Sequence, residues 1–167
     1  MTVLRAGVAW HRGWRIPKDS FSAKKLLTNS PVEKGPSPPN QINYWLAPNF
    51  KDEAEFVLSL GCEQTVNLVE LVNTHNGFAR DRATKELKVF IQPSYGAWQE
   101  VLHTTLEDSR QQADPLPLQT FPIKESKAKY VKFQQISKYG SLGGGLQYFA
   151  VKHNPNIGKS WLNFHHW

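Results

Sequence analysis

Residues 55–73 read EFVLSLGCEQTVNLVELVN, and this stretch indicates the fold class of the chain. In residues 55–61, apolar side chains alternate with smaller or polar ones, a period of two that is typical of a strand with one buried face. Residues 66–73 carry Val and Leu at both phases of that period, which predicts a central strand covered on both sides. We expect the intervening GCEQT (61–65) to form a turn between two strands.

The same alternation recurs along the rest of the chain, in segments separated by glycine and proline. Pro117 and Pro122 lack a backbone donor, so their segment is expected to be an edge or interrupted strand. One window, residues 51–58, also fits a short helix. About seven or eight short strands separated by turns are the pattern of an antiparallel β-sandwich, with a closed barrel as the competitor. The further strands are expected at residues 86–92, 98–106, 116–123, 129–136 and 145–152.

Composition and length place the chain among single-domain globular proteins. It has 167 residues, 40% of them hydrophobic, and a formal net charge of +6. Its one cysteine, Cys62, excludes an internal disulfide and is expected to be a small packed residue. No apolar run is long enough to span a membrane, and the first residues do not resemble a secretory signal. These features favour an intracellular location unless the chain is a fragment.

The chain is expected to have three parts: an N-terminal arm (1–20), a β-sandwich domain (21–152) and a C-terminal aromatic tail (153–167). Four of the six tryptophans lie in the two end segments. Exposed tryptophans are enriched at protein interfaces, so the ends either pack together or dock onto a partner. The candidate partner-docking residues are Trp10, Trp14, Trp161, Phe164 and Trp167.

The order of four motifs resembles the discoidin family, also called the coagulation-factor type C domain. The motifs are YWLAP (44–48), FVLSLG (56–61), NTHNGFARDRATKEL (73–87) and YGSLGGGL (139–146). The resemblance covers most of the chain and implies a galactose-binding-like jelly roll of about eight strands. In that family, loops at one end bind glycans, acidic phospholipids or proteins, often beside a structural calcium ion. The domain is rarely catalytic.

The third motif supplies the candidate ligand-binding residues. It joins two apolar strands, so it crosses one end of the sandwich as a loop. A sugar site needs planar hydrogen-bonding side chains and an apolar surface for the ring. In the alternative interpretation the loop satisfies its own polar groups. The candidates are His75, Asn76, Phe78, Arg80, Asp81 and Arg82.

Three further features have two interpretations each. The glycine-rich segment 141–145 lacks the Lys-Ser/Thr of a phosphate loop, so its glycines are expected to permit positive φ. The acidic residues near 52–55 and 107–108 are loop acids or part of a structural calcium site. A run of five lysines is either the solvated side of an edge strand or a surface for an acidic partner. These are Lys124, Lys127, Lys129, Lys132 and Lys138.

These observations predict a non-catalytic binding module that recognises a ligand, with a glycan as the first choice, through loops at one end of the sandwich. No nucleophile lies in a recognised catalytic motif, so no enzymatic activity and no required cofactor are expected. Trp45 and Trp98 are expected to be packing residues. No nucleic-acid motif is present. The alternative function is an intracellular protein–protein interaction or scaffold subunit that uses the same fold and its tryptophan-rich arms.

Overall fold

A computed structural model describes residues 2–3, 7–12 and 45–158 of the chain, with side chains over residues 45–158. Within these ranges lie eight β-strands and two short 3-10 turns, at Gly77–Ala79 and Ser109–Gln111. The strands are β1 (Thr2–Val3), β2 (Gly7–Arg12), β3 (Trp45–Leu46), β4 (Ala54–Asn73), β5 (Glu86–Gln92), β6 (Gln99–Thr105), β7 (Gln119–Gln135) and β8 (Gly145–His153).

The strands form two facing layers. Six of them follow one hydrogen-bonded path, β1–β8–β4–β7–β5–β6, with β2 added to β4 and β3 added to β8. The first layer holds β2, the first half of β4, the second half of β7, β5 and β6. The second layer holds β8 with β1 and β3, the second half of β4 and the first half of β7. All these pairings are antiparallel, so the predicted all-β antiparallel sandwich is confirmed.

β4 and β7 each run through both layers as one continuous strand. The turn expected at 61–65 and the break expected within 123–129 are therefore wrong. The two strands bend together and stay paired, with their register shifted between Ser59 and Gln64. Gly61 lies at this bend with a φ of 81°, a conformation that glycine adopts without strain. Strands that change layer at such irregularities form the corners of many sandwiches.

An aromatic cluster joins the two layers. In the first layer Phe56 stacks on Phe133 with ring centroids 5.0 Å apart. Both rings meet Phe149 of β8 edge-on, at 5.5 and 5.6 Å. Trp45 is buried and packs edge-on against the same pair, so its predicted packing role is confirmed. Each such aromatic contact contributes about 0.5–1.5 kcal/mol beyond the burial of area.

The second half of β4 is buried on both sides of the second layer, as its sequence predicts. Val72, Leu116 and Tyr148 form a small apolar cluster on the outer side of that layer. Beside it the buried pair Glu70 and Lys152 form an ion pair, with Oε2 and Nζ 2.5 Å apart. Burial raises the pKa of Tyr148, and the neighbouring charge of Lys152 acts in the opposite direction.

The lysine run lies on and just after β7, in more than one environment. Lys124 and Lys127 lie in the half that pairs only with β4 among the described strands, so the edge-strand interpretation fits these two. Lys132 lies in the half of β7 that pairs with both β4 and β5, so the edge-strand interpretation does not apply to it.

Other local predictions are mixed in outcome. The bounds of β5, β6 and β8 agree with the predicted strands to within one residue. Residues 51–58 form no helix, because β4 begins at Ala54. Cys62 was expected to be packed but is exposed, and its Sγ accepts a hydrogen bond from Gln64 Nε2 at 2.9 Å. None of the helical segments in the described part of the chain has the length and apolarity to cross a bilayer.

Candidate functional site

Four connections meet at one end of the sandwich, which we call the loop rim. β4 leaves this end, bends at the far end and returns, and β7 does the same, so their outer ends lie together. The connection after β6 begins here, because Thr105 pairs with Glu86 at the start of β5. The loop rim comprises residues 47–53, 74–85, 106–118 and 136–144.

The candidate segment NTHNGFARDRATKE forms a turn at the loop rim that a hydrogen bond between two of its side chains closes. Asn76 and Arg80 flank the 3-10 turn Gly77–Ala79, and both have left-handed backbone conformations, with φ of 60° and 48°. The turn is closed by a hydrogen bond of 2.8 Å from Asn76 Nδ2 to Asp81 Oδ1. Phe78 lies at its apex and is 90% exposed. The backbone therefore adopts uncommon conformations that present an apolar ring to solvent.

His75 is directed into the protein. It is buried, and its Nε2 lies 3.0 Å from Asp114 Oδ1 in the next connection. Its Nδ1 is also buried and has no hydrogen-bond partner in the part of the chain that the structure describes. His75 therefore ties two connections of the loop rim together and does not face solvent.

Arg80 also links the same two connections, by hydrogen bonds. Its Nη1 donates to the carbonyl oxygens of Arg110 and Gln112, at 2.7 and 3.1 Å. The side chain is nevertheless exposed, and its Nε and Nη2 groups form no hydrogen bond with a described residue. Together with Phe78, Arg80 is the part of the candidate set that solvent reaches most freely.

Arg82 points to the opposite side of the segment and is buried. Its guanidinium donates to the Ala47 carbonyl oxygen at 2.7 Å and to Asn49 Oδ1. Its backbone also pairs with Gly143. Burial lowers the pKa of Arg82, and the nearby Asp81 carboxylate opposes that shift. Arg82 thus fastens the first and last connections of the loop rim to the third motif.

The glycines of the YGSLGGGL motif serve close packing. A Cβ on Gly140 would lie 1.8 Å from the Asp81 carbonyl oxygen, and one on Gly143 would lie 2.6 Å from Arg82 Nη1. The expectation of positive φ here is wrong, because the described glycines with positive φ lie elsewhere. The motif lets the last connection approach the backbone of the third motif.

A buried polar network under the loop rim was not found from the sequence. Asn73 Nδ2 donates to the Thr84 carbonyl oxygen at 2.9 Å, and Asn73 Oδ1 accepts from the backbone N–H groups of Thr74 and Thr84. Thr84 Oγ1 in turn lies 3.1 Å from Gln135 Oε1 and 2.8 Å from the Gly145 carbonyl oxygen. Gln135 and Gly145 lie 51 and 61 residues from Thr84 in the chain, so no local pattern links them to it.

Phe50 is a second exposed ring at the loop rim that sequence analysis missed. It is 74% exposed and has a φ of 62°, which is uncommon for a bulky residue. Its backbone N–H donates to the Leu142 carbonyl oxygen at 2.6 Å, which fixes the loop in place. No periodicity marks a single Phe in a loop, so only the fold identifies it.

The predicted docking residues lie almost wholly outside the described part of the chain. Trp14, Trp161, Phe164 and Trp167 are outside it, and no side chain is described for Trp10. The backbone of Trp10 pairs with Val57 within β2 and β4. Docking by the arms therefore stays a prediction.

Two of the acidic residues considered for calcium, Asp52 and Asp108, contact basic side chains. Lys138 Nζ lies 2.6 Å from Asp52 Oδ1. Arg110 binds both carboxylate oxygens of Asp108, and these hydrogen bonds hold the pKa of Asp108 below its usual value. Among the described residues there is no group of three or more His, Cys, Asp or Glu side chains arranged to hold a metal. A structural calcium ion therefore stays a prediction.

Several solved structures that resemble this chain are carbohydrate-binding modules. Chitosan-binding module 1 of a Paenibacillus sp. IK-5 chitosanase/glucanase has 19% identity and a TM-score of 0.64, covering 92% of this chain and 100% of that one. A family 32 module from Streptococcus pneumoniae EndoD has 9% identity and a TM-score of 0.66, with the same coverage. A Clostridium perfringens module, solved with GalNAc-β-1,3-galactose, has 12% identity and a TM-score of 0.63, covering 91% and 100%.

The chain therefore has the galactose-binding-like jelly-roll fold, and the resemblance to discoidin domains is confirmed at the level of the fold. At these identities the likeness concerns architecture alone. The Sad1/UNC-like C-terminal family model matches residues 30–144, and the chain belongs to that family. A search of curated proteins found no match.

Proposed function

We propose that this domain is a non-catalytic binding module that recognises a glycan through its loop rim. The observation that carries the proposal is the exposure of Phe78. Its side chain is 90% exposed on a turn that two residues in left-handed backbone conformations flank. Exposed rings held rigidly bind with little loss of side-chain entropy, which is why they recur in recognition surfaces. The fold shared with carbohydrate-binding modules supports a sugar as the ligand.

The contact surface consists of Phe78 and the free donors of Arg80, with Phe50 on the adjoining loop. A sugar ring has an apolar side that packs on an aromatic ring and hydroxyl groups that accept from a guanidinium. His75 and Arg82 support this surface from below, because both are buried in contacts between loops. Asn76 and Asp81 close the turn that carries the ring.

A glycan array with the full chain tests this proposal, and it is repeated after calcium chelation. Phe78→Ala is expected to weaken binding of the best array ligand about tenfold or more, because burial of a Phe side chain contributes about 1.5–3 kcal/mol. The matched control is Tyr95→Ala, since Tyr95 is 94% exposed at the opposite end of the sandwich. Equal effects of the two substitutions, or no binding to any glycan, contradict the proposal.

A further inference from the structure

A cluster of one cation and two aromatic rings lies on the outer side of the first layer. Lys132 Nζ is 4.6 Å from the centre of the Phe90 ring and 5.0 Å from the Trp98 ring. Phe90 and Lys132 are directly opposite each other on β5 and β7, so their side chains share one side of the sheet. All three side chains are partly exposed.

Lys132 differs from the described lysines that form ion pairs. Lys88, Lys138 and Lys152 each contact a carboxylate at 2.9, 2.6 and 2.5 Å. Lys132 forms no ion pair with any described acidic residue, and the described contacts of its ammonium group are with the Phe90 and Trp98 rings. A ring face attracts the ammonium but does not satisfy its N–H donors as an oxygen atom does. An anion on this surface therefore finds a cation with donors still available.

Within the part of the chain whose side chains are described, the acidic side chains on this side of the sheet contact residues other than Lys132. Glu100 is opposite Phe90 across the sheet, but its carboxylate is already engaged by Lys88 at 2.9 Å. Further along β7, Lys129 Nζ lies over the Tyr130 ring at 5.7 Å, a second pairing of a lysine with a ring. The two rings around Lys132 also restrict a side chain that otherwise loses about 2 kcal/mol of rotamer entropy on binding.

We propose that Phe90, Lys132 and Trp98 form a second binding site, which takes an acidic sugar. The carboxylate or sulfate of the sugar binds Lys132 Nζ, and the apolar side of its ring packs against Trp98. An acidic sugar fits better than a simple anion because the site offers ring surface beside the charge. This site is separate from the loop rim, because Trp98 follows the hairpin at the opposite end of β5.

Calorimetric titration of the full chain with defined oligosaccharides tests the site. The probes are an oligogalacturonate, a heparin-derived oligosaccharide and a neutral cello-oligosaccharide of equal length. Lys132→Gln is expected to weaken binding of at least one acidic probe about tenfold, since a hydrogen bond to a charged group contributes that much. Lys124→Gln is the matched control, because it removes the same charge from an exposed position of the same strand and is expected to change affinity less than twofold.

Two further variants separate recognition from packing and from the loop rim. Lys132→Arg keeps the charge and is expected to bind within threefold of the natural chain, whereas Trp98→Leu is expected to weaken binding at least fivefold. Phe78→Ala is expected to leave acidic-probe binding unchanged, so failure of the proposed loop-rim function is distinguishable from failure of this site. Thermal unfolding of each variant checks that it is folded.

The opposing results are equally specific. If neither acidic probe binds, the site does not exist. If Lys132→Gln and Lys124→Gln weaken binding equally, the attraction is a general effect of surface charge and the site is likewise refuted. If poly-glutamate binds as tightly as the acidic sugars, the surface recognises acidic peptide and the sugar assignment is wrong.

Discussion

Replacement of Asn73 by Ala is the most informative test of how the loop rim is supported. The Asn73 side chain makes three hydrogen bonds of 2.9, 2.9 and 3.0 Å to the backbone of Thr74 and Thr84. All three residues are buried, so the substitution leaves these buried backbone groups without their partner. Each backbone group left without a partner costs about 1–3 kcal/mol, so for three groups we expect Asn73→Ala to lower the free energy of unfolding by about 3–9 kcal/mol.

Urea denaturation followed by tryptophan fluorescence measures this loss directly. For a domain of this size, a loss of about 3 kcal/mol or more corresponds to a fall in Tm of about 10 °C or more. The control is Gln134→Ala, because Gln134 is partly exposed and makes one long hydrogen bond of 3.5 Å to Glu55. A loss below about 1 kcal/mol for Asn73→Ala, equal to the control, refutes the role assigned to the network.

Two further predictions concern packing and pH. Gly144→Ala is expected to lower the free energy of unfolding by about 2–4 kcal/mol, because its Cβ would lie 1.8 Å from Oε1 of the buried Gln135. Gln135→Ala removes that clash, so strictly additive losses in the double variant count against this explanation. Burial raises the pKa of Tyr148. Burial also lowers the pKa of Lys152, but the contacts of Lys152 with Glu70 and Tyr148 together outweigh it, so that pKa is raised. The stability that these pKa shifts contribute is complete below about pH 10 and is lost as pH rises through the raised pKa values. Tm is therefore expected to fall at alkaline pH, and Tyr148→Phe is expected to make that fall smaller. The same dependence of Tm on pH in Tyr148→Phe and the natural chain argues against this role of Tyr148.

Most of the strands can be predicted from the alternation of apolar and polar residues in the sequence, but the bends at which strands change layer cannot. β5 is predicted to the residue, because its buried positions alternate strictly and a proline follows it. The bend in β4 passes through polar residues and Gly61, a composition that a turn and a bulge share. Only pairing with β7 across the bend distinguishes the two, and that pairing joins residues far apart in the chain.

The sequence predicted which segment forms the candidate loop, but only the structure shows which side chains of that segment face solvent and which are buried. The polar third motif forms part of the loop rim, where a loop between two buried strands is expected. Whether a side chain faces solvent depends on distant partners: His75 meets Asp114 and Arg82 meets Ala47, contacts 39 and 35 residues apart in the chain. Spacing within the motif carries no information about either partner.

The most direct test of the loop rim as the binding surface is a two-dimensional NMR titration of the ¹⁵N-labelled full chain with the best glycan from the array. Recognition at the loop rim predicts that the largest amide shifts fall in residues 47–53, 76–81 and 110–114, and that Phe78→Ala abolishes them. Shifts confined to the hairpin that carries Tyr95, or spread evenly over both ends of the sandwich, contradict this account.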